Sequence, residues 1–187
     1  MANVLITGGA RSGKSRFAQE LAQKLGKPVL FVATAVAGDE EMRLRIEEHR
    51  RARSTAWNTL EVTMHIGSQI IQKIGGARVV IIECIALLVN NVFSQYSHQT
   101  GEQIDATLIE ENLIAEIKEL IECIKQVDAS FIIVTNEVGM GLVPVNGIGR
   151  LYRDLLGKVN QLLAEQVDEV YLMVAGLPVP VKPDKER

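Results

Sequence analysis

Along this chain, short unbroken apolar runs alternate with longer stretches in which apolar residues recur every three or four positions. The first run, residues 3–7, reads Asn-Val-Leu-Ile-Thr and stops at Gly8 and Gly9, after which Phe17, Leu21 and Leu25 recur every four residues with Ala18 and Ala22 beside them. That is the pattern of a strand, a glycine turn and an amphipathic helix. Gly26 and Pro28 end the helix, and Val29–Ala33 follows as a continuous apolar run, as in a strand covered on both faces. Further runs lie at 79–82, 131–135 and 170–174. Between them are segments of helical period such as Leu113, Ile117, Leu120, Ile121 and Ile124, which Thr107 and Glu110 precede as a candidate capping box. Strands alternating with helices predict an α/β fold of three layers, a mainly parallel sheet with helices on both faces. Residues 179–182 predict a short edge strand, because Pro180 has no N–H for a central ladder. No internal repeat or linker divides the chain, so we read one domain over residues 1–187, with the polar tail after Pro183 expected to fray.

Composition narrows the class. The chain is 47% hydrophobic and 23% charged, with 20 Lys+Arg against 23 Asp+Glu and a formal net charge of -3, which argues against disorder and against a uniformly basic surface that coats nucleic acid. Nucleic acid is therefore not an expected partner. The most apolar stretch, 79–92, is broken by Glu83, Asn90 and Asn91, too short and too polar for stable membrane insertion. Cys84 and Cys123 lie far apart without zinc spacing, and no signal-like segment opens the chain, so we expect a reduced, cytoplasmic protein with buried structural cysteines.

The glycine turn carries chemistry. Gly8, Gly9, Ala10, Arg11, Ser12, Gly13, Lys14 and Ser15 fit G-x-x-x-x-G-K-[ST] between a predicted strand and a predicted helix. The glycines let successive N–H groups face one concavity, the helix N-terminus adds its positive dipole end, and Lys14 can reach the β- and γ-phosphates of a nucleotide. Ser15 is the expected Mg²⁺ ligand. A second acidic group belongs at the end of another strand, and Glu83 closes the run 79–83. Its longer side chain, where Asp is commoner, leaves open contact with nucleotide or substrate, and a solvent-facing glutamate is the plainer alternative.

Residues 43–53 hold five arginines against two glutamates, a local charge of about +3 inside a chain of net -3. Asp39 is a candidate N-cap, and Met42, Ile46, His49 and Arg53 fall on one stripe with Arg50 adjacent, so the histidine is expected to face the protein. A neutral imidazole there could attack phosphorus while arginines offset phosphate charge. A solvated arginine face with a histidine at its margin fits the same residues. The segment 134–144, with Gly139 and Gly141, leaves a strand at the carboxyl edge of the sheet and either binds substrate or merely connects. His65 and His98 lie in unremarkable surroundings.

Taken together, the loop from Gly8 to Ser15, the Ala33-Thr34 strand end, Arg45-Ile46, His49-Arg50, Arg53 and Trp57, Glu83-Cys84 with Asn91 beyond, and Thr135-Asn136-Glu137-Val138-Gly139-Met140-Gly141 before Val143-Pro144 resemble the bifunctional adenosylcobinamide kinase / adenosylcobinamide-phosphate guanylyltransferase family, nearly from end to end. The resemblance implies a P-loop NTPase fold similar to the recombinase core and a homotrimer. It implies an enzyme that phosphorylates adenosylcobinamide from a nucleoside triphosphate, ATP or GTP, then transfers GMP from GTP to that phosphate. The guanylyl group would pass through His49, with Lys14 the other catalytic residue. GTP would touch Gly8 to Ser15, Ala33, Thr34, Ala35, Arg50, Arg51, Ala52, Arg53, Glu61 and Glu83, with Mg²⁺ on Ser15 and Glu83. Two other readings use the same loop: a single-activity P-loop kinase for another small alcohol, and a non-catalytic GTP-binding protein. Against the second, no Asn-Lys-x-Asp guanine motif is present, Thr135-Asn136-Glu137 lacking the lysine.

Overall fold

The computed structural model describes residues 2–97 and 105–182; His98 and the tail from Pro183 onward lie outside the described residues. The chain runs β1 (Val4–Gly8), α1 (Lys14–Leu25), β2 (Val29–Ala33), α2 (Glu40–Ala52), β3 (Asn58–Glu61), α3 (Ile66–Lys73), β4 (Val79–Glu83), α4 (Ile85–Ser97), α5 (Ala106–Gln126), β5 (Ser130–Val134), α6 (Gly147–Gln166), β6 (Glu169–Val174) and β7 (Leu177–Lys182). The strands form a seven-stranded sheet in the order β3-β2-β4-β5-β1-β6-β7. Every pairing is parallel except that of β7 with β6, where Pro178 and Pro180 sit on an edge strand as proline requires.

Alternation along the strands sorts side chains between two cores. Leu5, Leu30, Val32, Val80, Ile82, Phe131 and Ile133 meet the faces of α3, α4, α5 and α6, while Val4, Ile6, Val29, Phe31, Val79, Ile81, Ile132 and Val134 meet Ala18 and Ala22 of α1. Ile81 and Ile82 are wholly buried on opposite faces, each contributing roughly 1.5–3 kcal/mol on transfer from water. The same parity decides where Glu83 points. Two residues beyond Ile81, it belongs to the α1 side of the sheet.

The expected mainly parallel three-layer α/β sheet is present, with local corrections. The N-cap of α5 is Asp105, whose carboxylate accepts from the Leu108 N–H at 3.0 Å, so Thr107 and Glu110 are already inside the helix rather than forming its capping box. β3 has no apolar run to announce it: Asn58, Thr59 and Glu61 are exposed, and pairing with β2 alone makes it a strand. His65 is not an unremarkable residue. It is the N-cap of α3, at φ +55°, and the first N–H groups of that helix are taken by side chains from α5: Glu116 accepts from His65 and Ile66 at 2.9 and 2.8 Å, and Glu119 from Ser68 at 2.7 Å. Among the described residues, no helix is long and apolar enough to cross a membrane.

Candidate functional site

The loop between β1 and α1 is shaped by glycine. Gly8 (φ +148°) lies so close to β6 that a Cβ would stand 2.7 Å from the Met173 carbonyl oxygen, and Gly13 (φ +96°) so close to the β6–β7 turn that a Cβ would stand 3.1 Å from Gly176 Cα. The Gly176 N–H donates to the Ser12 carbonyl at 3.0 Å, bracing the loop from behind. α1 begins at Gly13 without any side-chain cap, which leaves its first N–H groups open to an anion. Gly9, Ala10 and Arg11 are exposed on the outer rim, Arg11 in the left-handed region at φ +56°. Lys14 folds back onto this loop: its ammonium donates to the carbonyls of Gly8 and Gly9 at 3.0 and 2.7 Å. Burial holds its pKa below the ordinary lysine value, against the opposing pull of nearby Cys84 and Glu83.

Glu83 is the centre of the arrangement and is not solvent-facing. Its Oε1 accepts from the Ser15 hydroxyl and lies 3.4 Å from Nδ1 of His49, while Oε2 is buried without a hydrogen-bond partner. The peptide bond between Glu83 and Cys84 is cis. Thr34 grips it, its hydroxyl accepting from the Cys84 N–H at 2.8 Å and donating to the Cys84 carbonyl at 2.9 Å. The Asn91 amide donates to the Thr34 and Thr63 carbonyls at 2.9 and 3.1 Å, tying the ends of β2 and β3 together. The Cys84 thiol is pushed up to about 11 by burial and stays protonated. Both cysteines are free; Cys123 is buried as expected, whereas Cys84 is only partly so by exposure.

Asp39 caps α2 through the Met42 N–H at 2.7 Å, as its position predicts. The helix buries no residue, so the expected apolar stripe is at most half-buried and His49 meets the body through its ring nitrogen. The hydrogen bond to Glu83 raises the His49 pKa above the ordinary histidine value; burial and the charges of Arg45 and Arg53 oppose it. Arg50 donates to Glu61 at 2.5 and 3.1 Å. Arg53 lies 3.7 Å over the Phe31 ring and donates to the Thr59 hydroxyl at 3.0 Å, with burial the main cause of its lowered pKa. Arg51 points outward toward Glu47, and Ala52 is exposed with no polar group to offer, so these two stand apart from the cluster.

Sheet register brings the rest together. Ala33 pairs with Glu61 on one side and Glu83 on the other, and Glu83 pairs with Val134, so these strand ends form one edge. Beside it a cavity of about 480 Å³ is lined by Ala35, Val36, Glu61, Thr63 and Met64 among others. The segment after β5 is built in as well: the Glu137 N–H donates to the Gly8 carbonyl at 3.0 Å, and the Glu137 carboxylate accepts from the Gly139 and Met140 N–H groups. Asn160 of α6 accepts from the Thr135 hydroxyl at 2.7 Å and donates to the Asn136 carbonyl at 3.0 Å. Sequence reading missed Asn160 and Arg153. The available signal was a polar residue among Leu156, Val159 and Leu163 on an otherwise apolar face. His65, Glu116 and Glu119 cluster at metal-ligand spacing, but both Glu116 oxygens are already committed to the α3 cap.

The family model described as cobinamide kinase / cobinamide phosphate guanyltransferase matches residues 4–181. The bifunctional adenosylcobalamin biosynthesis protein CobU of Escherichia coli (strain K12) is 41% identical over 180 residues, covering 96% of this chain and 99% of its own. The bifunctional adenosylcobalamin biosynthesis protein CobP of Pseudomonas aeruginosa is 38% identical, over 95% and 96% of the two chains. Among solved structures, the protein of Project ID PH0250 from Pyrococcus horikoshii OT3 shares the fold at a TM-score of 0.56 and 10% identity, over 99% of this chain and 88% of that one.

Proposed function

This chain belongs to the cobinamide kinase / cobinamide phosphate guanyltransferase family and is a bifunctional transferase of that kind, and from this premise we propose that both transfers run through the one edge where Lys14, Glu83 and His49 meet. The observation that carries the reading is the position of a single carboxylate, Glu83, between the hydroxyl of Ser15 and the imidazole of His49.

In the kinase step the open N–H groups at the start of α1 take the phosphates of ATP or GTP, and the Lys14 ammonium leaves the Gly8 and Gly9 carbonyls for the β- and γ-phosphates. The adenosylcobinamide hydroxyl attacks the γ-phosphorus and releases its proton to solvent, a new O–P bond replaces the β–γ bridge, and the nucleoside diphosphate leaves. Ser15 Oγ and the unpartnered Glu83 Oε2 are the hard oxygen donors that suit Mg²⁺. When bound, the ion offsets phosphate charge. In the second step the proton on His49 Nδ1 is held by Glu83, which leaves the Nε2 lone pair as nucleophile. Attack on the α-phosphorus of GTP forms an N–P bond and releases pyrophosphate; an oxygen of the acceptor phosphate then displaces Nε2, giving adenosyl-GDP-cobinamide. Arg53, whose charge reaches the imidazole, and Arg50, now bonded to Glu61, are there to take phosphate charge, and Glu61 with the neighbouring cavity offers an acceptor for the base.

The wider reading is one catalytic unit over residues 1–187, working in the cytoplasm as a homotrimer on corrinoid and nucleotide substrates. Leu142 and Val145, 96% and 97% exposed, support a subunit contact on the loop before α6. The test is incubation with α-labelled GTP followed by denaturing electrophoresis. Label stable to alkali and lost in mild acid is expected on the wild type and absent from His49→Ala. Label that persists in His49→Ala would remove the nucleophile assignment, and phosphorylation without labelling would leave a kinase alone.

A further inference from the structure

On the α6 side of the phosphate loop lies a second cavity, of about 340 Å³, bounded by Glu137 and Gly139 on the loop after β5 and by Arg153, Gly157, Lys158 and Asn160 on α6. Three observations mark it as a binding site. First, Arg153 lines it and carries a buried Nη1 with no hydrogen-bond partner. A guanidinium carries only donors, so a buried one without a partner calls for an oxygen acceptor. Of the ionic groups beside it, the Glu137 carboxylate accepts from its own loop and Lys158 is paired with Glu110, while the exposed Asp154 also lines the cavity without bonding Arg153 Nη1. Second, Gly157 sits inside α6, where glycine weakens a helix, yet a Cβ built on it meets nothing within 4 Å. Neither backbone conformation nor a close neighbour demands glycine at that position. It keeps the cavity open. Third, the loop wall is anchored to the phosphate loop through the Glu137 N–H and the Gly8 carbonyl, so the cavity adjoins the loop that takes the nucleotide phosphates.

We propose that this cavity is the acceptor-side subsite, where Arg153 takes an oxygen acceptor on an arm of the corrinoid substrate. The inference rests on the reading of the reaction given above. Glu83 meets Ser15 on the α1 face of the sheet, whereas α6 packs on the other face, so acceptor and nucleotide approach the phosphate loop from different faces. The volume is at the low end for small-molecule pockets and admits an arm, not a corrin macrocycle. The oxygen belongs either to a peripheral amide or to the phosphate added in the first step.

The test measures kinase-step KM for cobinamide, transfer-step KM for cobinamide phosphate, and guanylyl-enzyme formation from GTP with no acceptor present. Arg153→Met is expected to raise acceptor KM by roughly tenfold to a hundredfold, the range for a lost charge-assisted hydrogen bond, with Arg153→Lys recovering part of it. Gly157→Leu, which fills the cavity without breaking the helix, should do the same. Guanylyl-enzyme formation should keep its wild-type rate in all three. A rise for both acceptors assigns an amide; a rise for cobinamide phosphate alone, relieved in the wild type by competing inorganic phosphate, assigns the phosphate. Unchanged acceptor KM in both Arg153→Met and Gly157→Leu overturns the subsite. Failure of the two-step reading is separate, because it shows as a wild type that forms no guanylyl-enzyme.

Discussion

At the scale of single residues, the pair formed by His49 and Glu83 sets the pH behaviour. On the proposed mechanism His49 must be neutral to attack, and Glu83 raises the pKa that governs this. Guanylyl-enzyme formation should therefore fall on the acid side of that raised value, and Glu83→Gln should move the acid limb to lower pH, as a single-turnover pH profile with labelled GTP would record. The sign for stability is opposite in direction. A raised folded-state pKa means that the pair contributes fully below the ordinary histidine value near ~6.5 and loses its contribution as pH climbs through the folded-state value. His49→Ala should cost guanylyl transfer roughly a thousandfold or more while leaving phosphorylation of cobinamide measurable. Lys14 poses the converse case. The residue is only 8% exposed, and burial outweighs the pull of nearby Cys84 and Glu83 on its charge, so Lys14→Met should raise the thermal midpoint of the free protein while lowering kinase turnover by roughly a hundredfold or more.

Among elements, two helix glycines predict opposite outcomes. A Cβ on Gly67 of α3 would lie 2.5 Å from the Glu119 carbonyl oxygen of α5, backbone against backbone, so Gly67→Ala should destabilise by about 1–3 kcal/mol despite alanine's better helix propensity. Gly157→Ala, facing open space, should stabilise by about 0.5–1 kcal/mol. Urea denaturation of the two variants reads both signs. Legibility in the sequence followed burial. β1, β2, β4, β5 and β6 are apolar runs and read as strands; β3 has no core of its own and reads as nothing, because its partner makes it a strand. The phosphate loop is equally legible, since its chemistry is local. The contact of Glu83 with both Ser15 and His49 joins residues 68 positions apart in one case and lies on three elements, so only the assembled sheet displays it. α2 was legible as a charged helix but not as a lightly held one. With no residue buried, it rests on the body through His49, Arg50 and Arg53, a light hold that on the proposed mechanism would let it shift between the γ- and α-phosphate geometries of the two steps.

For the whole molecule, net charge misleads. The chain is formally -3, yet Arg45, Arg50 and Arg53 gather at the edge where, on the proposed reading, a triphosphate lands. Added salt should therefore raise KM for GTP several-fold, the reverse of what a uniformly acidic surface would do; steady-state assays over a range of ionic strength would measure it. The side of the sheet on which Glu83 emerges has a different kind of consequence. Its placement depends only on whether an even or an odd number of residues separates it from Ile81, and hydrophobicity is blind to that count. Substitutions within β4 can be apolar and survivable in great variety. Removal of one residue between Val79 and Glu83 would leave an equally good strand and turn its carboxylate toward α4 and α5, away from Ser15. Inheritance of this activity should thus tolerate spelling changes in the strand and reject changes of frame, so that strand length, more than strand content, is what descent must preserve.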